Sequence, residues 1–226
     1  MGVARPITFA GPAGSAAITT LVIAGWTGRD PAAVEHHIAE LAAIGVPRPP
    51  RVPCFYRLGA NLLTTSATID VVGSASSGEV EVVLVALADG LYVGVGSDHT
   101  DRKVETVSVT AAKQMCPKPI SESLWRFDEV EAHWDELMLR SWVTRNGARR
   151  LYQEGPVARM LPPRDLMSRY LGRTSMLPPA TAMYCGTLAV KGEVGGGERF
   201  EIELADPRSG RTLQHAYSIR QLELAD

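Results

Sequence analysis

Paired thiols are missing from this 226-residue chain: Cys54, Cys116 and Cys185 are widely spaced and form no C-x-x-C. That argues against a zinc ribbon or a disulfide framework and fits a reducing compartment. One-sided charge is missing too. Lys and Arg number 23 against 25 Asp and Glu, a formal net charge of -2, and the two signs are interspersed. No basic stripe points to nucleic acid, and no basic amphipathic helix points to a membrane surface. No apolar run reaches the roughly 18 residues of a membrane span, and the first residues lack the apolar core of a signal peptide. Internal repeats, a phosphate-binding glycine loop and a G-x-S-x-G nucleophile turn are likewise absent. The expectation is a soluble cytoplasmic protein, long enough for a substantial core.

What is present centres on Glu79 to Lys113. Glu79, Glu81, Val83 and Val85 share one face of a β-strand, and Val80, Val82 and Leu84 the other, because successive side chains alternate. After Asp89-Gly90 a second apolar run, Leu91 to Val95, ends in Gly96-Ser97-Asp98. Pairing of the two runs would converge three carboxylates at one rim of a sheet. Two unit charges about 4 Å apart repel by roughly 4 kcal/mol at an effective dielectric near 20, so the cluster needs a cation or a raised pKa. Three oxygen ligands without a thiolate suit Mg²⁺ or Mn²⁺. Alone, Glu-Val-Glu also describes a solvated strand face.

Upstream, Ile18 to Ala24 reads as a strand, and Asp30-Pro31 opens a helix to about Ile44, stopped by Gly45. Val34, Ile38 and Leu41 form its apolar stripe. His37 and Glu40, three residues apart, share one flank, and His36 falls on the exposed side. Downstream, Asn61 to Val72 reads as a strand and Asp101 to Thr106 as a polar turn. Trp125 to Trp134 carries a helical turn. Asn146-Gly147 is a hairpin signal between Leu137–Thr144 and Arg149–Tyr152. Pro162 to Gly172 reads as a helix, and Thr181–Thr187, Phe200–Leu204 and Ala216–Leu222 as strands.

Several of these pieces resemble the fumarylacetoacetate hydrolase family, in order, over residues 37 to 222. That family carries E-x-E on a strand and then G-x-D-x-S/T-x-R, here Gly96-Ser97-Asp98-His99-Thr100-Asp101-Arg102. Its H-x-x-E lid helix continues through prolines into P-x-x-F-x-K; here His37 and Glu40 are followed by Pro53-Cys54-Phe55-Tyr56-Arg57, arginine replacing lysine. Lys113 to Pro117 resembles its K-x-x-x-x-C-P, shortened by two. Gln153-Glu154-Gly155 and Cys185-Gly186-Thr187 resemble its Q-x-G and T-G-T. Asp101 and Lys103 depart from the family pattern, and the Glu81–Asp98 gap is short, as if Asp89-Gly90 replaced a helix.

The resemblance implies a single α+β, β-rich domain over residues 1–226, a mixed β-sheet roll with a few short helices. Residues 1–29 would be poorly matched, and 30–57 a lid helix and hinge. It also implies a homodimer and action on 2-oxo or β-diketo acids. Glu79, Glu81 and Asp98 would hold Mg²⁺ or Mn²⁺. Glu40 would orient His37 as general base, and Lys113 would neutralise developing charge. Arg57, Arg102, Gln153, Gly186 and Thr187 would contact the substrate, a small carboxylate. Hydrolysis of a carbon–carbon bond is the leading expectation. Decarboxylation, hydration or isomerisation on the same metal, and a non-catalytic binding module, are the alternatives. His99, adjacent to Asp98 in an extended segment, should face away from the metal.

Overall fold

The computed structural model describes residues 6–10, 14–43, 48–172 and 174–225, without the side chains of His37, Glu40 and Leu41. Two sheets dominate. The first is built from β1 (Thr20–Gly25), β2 (Cys54–Leu58), β4 (Val80–Leu87), β5 (Gly90–Ser97), β6 (Trp125–Arg126) and β9 (Thr181–Thr187), in the order β6-β5-β4-β9-β1-β2. The second runs β8-β7-β10-β11-β3. Its strands are β3 (Thr68–Val72), β7 (Met138–Arg145), β8 (Ala148–Pro156), β10 (Arg199–Asp206) and β11 (Arg211–Leu222). The β9–β1 and β11–β3 pairs are parallel and the remaining neighbours antiparallel, a mixed β-rich architecture. No helix among the described residues is long and apolar enough to cross a membrane.

β4 is the axis of the fold. Its eight residues, VEVVLVAL, are buried except at the last position, because both faces of this central strand are covered. Val80, Val82 and Leu84 pack against Leu139, Ile202, Leu204 and Leu213 of the second sheet. Val83 and Val85 pack on the other side with Ile23, Tyr92, Ile120 and Tyr184. A third cluster, with Tyr152, Phe200 and Tyr217, packs edge-on against the ring of His99 through Phe200 and Tyr217. The β4–β5 hairpin pairs directly, Glu81 opposite Gly96 and Leu87 opposite Gly90, as the shortened connection suggested. Gly96 is glycine because a Cβ there would come within 2.6 Å of Tyr184 and 2.9 Å of the Pro119 carbonyl.

Turn chemistry sets most of the other boundaries. Asn146 and Gly147 take φ of +50° and +72° and join β7 to β8 in the expected tight hairpin. The first helix, α1 (Pro31–Ala43), begins where Asp30 Oδ1 accepts the Ala32 amide at 2.9 Å. Its expected stop at Gly45 lies outside the described residues. The segment read as a polar turn after Asp101 is a one-turn helix, α2 (Arg102–Glu105), capped by Asp101 through the Val104 amide at 2.9 Å. α3 (Val109–Gln114) is capped by Ser108, and α4 (Pro163–Leu171) ends at Gly172 with φ +81°. The region after Trp125, read as carrying a helical turn, holds a short strand followed by two 3₁₀ turns.

Asp206, at the β10–β11 turn, supplies a stability prediction. Its buried carboxylate accepts from Ser209 Oγ at 2.6 Å, Arg208 N at 3.0 Å and His133 Nε2 at 3.1 Å. Burial pushes its pKa up, but these donors outweigh burial and hold it at about 2, below the ordinary 3.8. The stabilisation is therefore present above about pH 4 and lost as pH falls through about 2. Asp206→Asn should cost about 2 kcal/mol at neutral pH. Urea unfolding of both proteins should show that gap narrowing between about pH 4 and 2.

Candidate metal centre

Glu79, Glu81 and Asp98 each direct a carboxylate oxygen into one cluster whose oxygens lie within 4.8 Å of one another. β4 supplies Glu81 on its Val83–Val85 face, Glu79 immediately precedes that strand, and Asp98 immediately follows β5, its amide donating to the Glu79 carbonyl at 2.9 Å. Cations surround the cluster unevenly. Lys113 Nζ bonds Asp98 Oδ2 and lies 3.8 Å from Glu79 Oε2. Lys118 Nζ sits 3.1 Å from Asp98 Oδ1. Arg102 reaches Glu79 Oε1 at 3.1 Å, Glu105 at 2.9 Å and Ser77 Oγ at 2.7 Å. Glu81, 2% exposed, has no ion-pair partner within 4.0 Å among the described residues. Among the described residues its Oε2 accepts the Gly186 amide, at 2.7 Å.

These surroundings split the carboxylates electrostatically. Burial, then the negative charges of Asp98 and Glu79, push Glu81 well above the ordinary range. Burial also pushes Asp98 up, but the two ammonium groups outweigh it and leave it at about 2. Lys113, although buried, is held protonated by Asp98 and Glu79, whereas burial lowers Lys118. A buried carboxyl pressed between two others, with no cation of its own, suits a divalent ion bound by oxygen. The donor set therefore fits a divalent ion, which Glu79, Glu81 and Asp98 would hold.

Residues 24–217 match the family described as "Protein of unknown function (DUF2848)". The chain belongs to the DUF2848 family. Among curated proteins no sequence matches this DUF2848 chain. Solved structures supply the fold. The chain is 17% identical to yeast ynq8, a fumarylacetoacetate hydrolase family protein, with TM-score 0.65 over 93% of this chain and 98% of that one. It is 16% identical to 2-hydroxyhepta-2,4-diene-1,7-dioate isomerase from Mycobacterium marinum, with TM-score 0.60 over 93% and 78%. A 2-keto-3-deoxy-D-arabinonate dehydratase complexed with magnesium and 2,5-dioxopentanoate gives 16% identity and TM-score 0.61 over 92% and 74%. The DUF2848 chain thus has the fumarylacetoacetate hydrolase fold.

Of the expected site residues in this DUF2848 chain, Glu79, Glu81, Asp98, Arg102, Lys113 and Gly186 come together. Gln153 and Thr187 lie beside the start of β4, with their polar groups turned to the protein. Gln153 accepts from the Val80 amide at 2.9 Å and donates to Thr187 Oγ1 at 2.8 Å and the Leu188 carbonyl at 2.6 Å. Thr187 in turn donates to the Val80 carbonyl at 2.7 Å. Arg57 stands on the opposite face of the first sheet, because β2 pairs it with Val22, and it bonds Tyr170 at 3.0 Å. His37 and Glu40 lie on α1, their side chains outside the described set; His36 is exposed and Ile38 buried, consistent with the expected helix register.

Some contributors escape sequence reasoning. Lys118 is fully buried and donates to the His99 carbonyl at 2.5 Å and the Lys113 carbonyl at 2.6 Å besides Asp98. Nothing in Cys116-Pro117-Lys118 marks it; the short parallel pairing of Lys118–Pro119 with Leu63–Thr64 places it there. His99 turns away from the carboxylates. Its ring nitrogens meet Tyr217 OH at 3.1 Å and Ser76 Oγ at 2.9 Å, and burial followed by the charges of Lys118 and Arg102 lowers it to about 3.

Gly186 has φ +98°, and a Cβ there would fall 1.7 Å from Thr27 Oγ1, which donates to the Cys185 carbonyl at 2.9 Å. Gly186→Ala should therefore cost about 2–4 kcal/mol, strain and overlap combined, and pull the amide away from Glu81. Unfolding measured by denaturant titration checks it; a loss below about 1 kcal/mol would mean the loop relaxes freely.

Proposed function

We propose that this chain is a divalent-metal-dependent hydrolase that cleaves a carbon–carbon bond in a 2-oxo or β-diketo acid. The observation behind this is the Glu79–Glu81–Asp98 cluster, in which Glu81 is buried without a cation while its neighbours are paired. Bound there, Mg²⁺ or Mn²⁺ would act as a Lewis acid toward the substrate's carboxylate and 2-oxo oxygens. Lys113 stands beside the same carboxylates and carries positive charge, so it stabilises the enolate that forms as the bond breaks. Arg102 and Lys118 hold Glu79 and Asp98 in place through the ion pairs given above. Gly186, Thr187 and Gln153 hold the start of β4.

For water attack, His37 on α1 takes the proton and Glu40 orients the imidazole. Water adds to the distal carbonyl carbon. The electron pair of the cleaved bond passes to the 2-oxo fragment, which a proton then quenches, giving a carboxylic acid and a smaller 2-oxo acid. The working form in this proposal is a cytoplasmic homodimer. A second reading is dehydration or isomerisation on the same carboxylates. The names of two similarly folded proteins, an isomerase and a dehydratase, favour it.

The test is a panel of acylpyruvates and other 2-oxo acids, assayed with Mg²⁺, with Mn²⁺ and after chelation by EDTA. Turnover should vanish with EDTA and return with the metal. Turnover that persists in EDTA would sink the metal-dependent reading. Isomerised or dehydrated products without cleavage would select the second reading.

A further inference from the structure

The cations next to the carboxylates are already engaged. Arg102 is spent on Glu79, Glu105 and Ser77, and Lys118 on Asp98 and two backbone carbonyls. Lys113 is on Asp98. Arg57, the cation that the family resemblance offers for substrate oxygens, lies on the far face of the sheet. Tyr56 takes the near face instead. Strand register aligns Tyr56 with Ile23, Tyr184 and Val83, on the face that carries Glu81. The Lys113 ammonium lies 5.8 Å from the centre of the Tyr56 ring, so the ring borders the cluster at its charged end.

Trp26 extends this border. Its indole N–H donates to Tyr56 OH at 3.3 Å. Trp26 has φ +61°, a left-handed conformation that a bulky residue keeps only when its surroundings impose it. Those surroundings belong to the centre. The next residue, Thr27, bonds the Cys185 carbonyl, and the residue after Cys185 holds Glu81. Burial pushes the Tyr56 phenol up to about 12, so the border stays uncharged at neutral pH. An uncharged aromatic border accepts a planar apolar group by stacking, and neither ring itself offers a second carboxylate a countercharge.

We propose that the substrate's far end, beyond its 2-oxo carboxylate, is an uncharged planar group, aryl or conjugated alkenyl, resting on Tyr56 and Trp26. This rests on the 2-oxo acid reading given above and narrows it to monocarboxylates.

Calorimetry on the full-length protein loaded with Mg²⁺ tests this, with phenylpyruvate, 2-oxoglutarate and pyruvate as probes. Phenylpyruvate should bind at least about tenfold more tightly than 2-oxoglutarate. Tyr56→Leu should remove most of that preference, and Tyr56→Phe should retain it. Equal or tighter binding of 2-oxoglutarate, or an unchanged preference in Tyr56→Leu, overturns the inference and leaves the 2-oxo acid reading standing. If none of the three acids binds, the 2-oxo acid reading itself falls, and the inference with it.

Discussion

Glu81→Gln should weaken Mg²⁺ binding by about two orders of magnitude while the protein stays folded. The carboxamide is nearly isosteric, and its oxygen can still accept the Gly186 amide. What it loses is a carboxyl group that can give up its proton to a dication and then meet it with a full negative charge. Metal-free stability should move the other way. Glu81 is raised above the ordinary carboxylate range when folded, so its stabilising contribution is complete at low pH and is lost as pH rises through the folded value. The metal-free wild type should therefore weaken toward alkaline pH relative to Glu81→Gln, and saturating Mg²⁺ should reverse the order by mass action. Calorimetry and denaturant titration at two pH values measure both. Equal Mg²⁺ affinity in the two proteins would remove Glu81 from the ligand set.

How far a sequence reveals such a centre depends on whether local pattern or tertiary register decides each residue. The β4–β5 hairpin was legible because alternation and Asp89-Gly90 are local signals, and pairing them brings Asp98 beside Glu79. The Asn146-Gly147 hairpin was legible for the same reason. Lys118 was not, since its meaning comes from a two-residue ladder with Leu63–Thr64, far away in the chain. Arg57 and Tyr56 show how finely register acts. One position along β2 exchanges the face beside the carboxylates for the face toward Tyr170, and a strand's own alternation does not say which is which. Gln153 illustrates a further limit. A buried amide with every hydrogen bond spent on the protein reads, in sequence, like one that awaits a ligand.

His37→Ala should cut turnover by about 10²–10⁴-fold, the usual contribution of a general base, while changing substrate affinity much less. Ile38 is buried and His36 exposed, as the sequence pattern expects, and a spacing of three residues is what would put His37 and Glu40 on one flank of a helix. Prolines at 49, 50 and 53 lead from this region into β2, whose Tyr56 borders the carboxylate cluster. A helix on such a connection can bring a base to the substrate once that is bound, and withdraw for release. In the proposed reading affinity rests on the carboxylates and Lys113, which the substitution leaves alone. Any enolisation that needs no activated water should survive in His37→Ala, because Lys113 and the carboxylates suffice for it. The measurement is steady-state turnover and substrate affinity for wild type, His37→Ala and His36→Ala on one active substrate. Loss of activity in His36→Ala alone would mean that the other imidazole serves as the base. Full turnover in both variants would discard the dyad and turn the assignment toward isomerisation or dehydration on the same carboxylates.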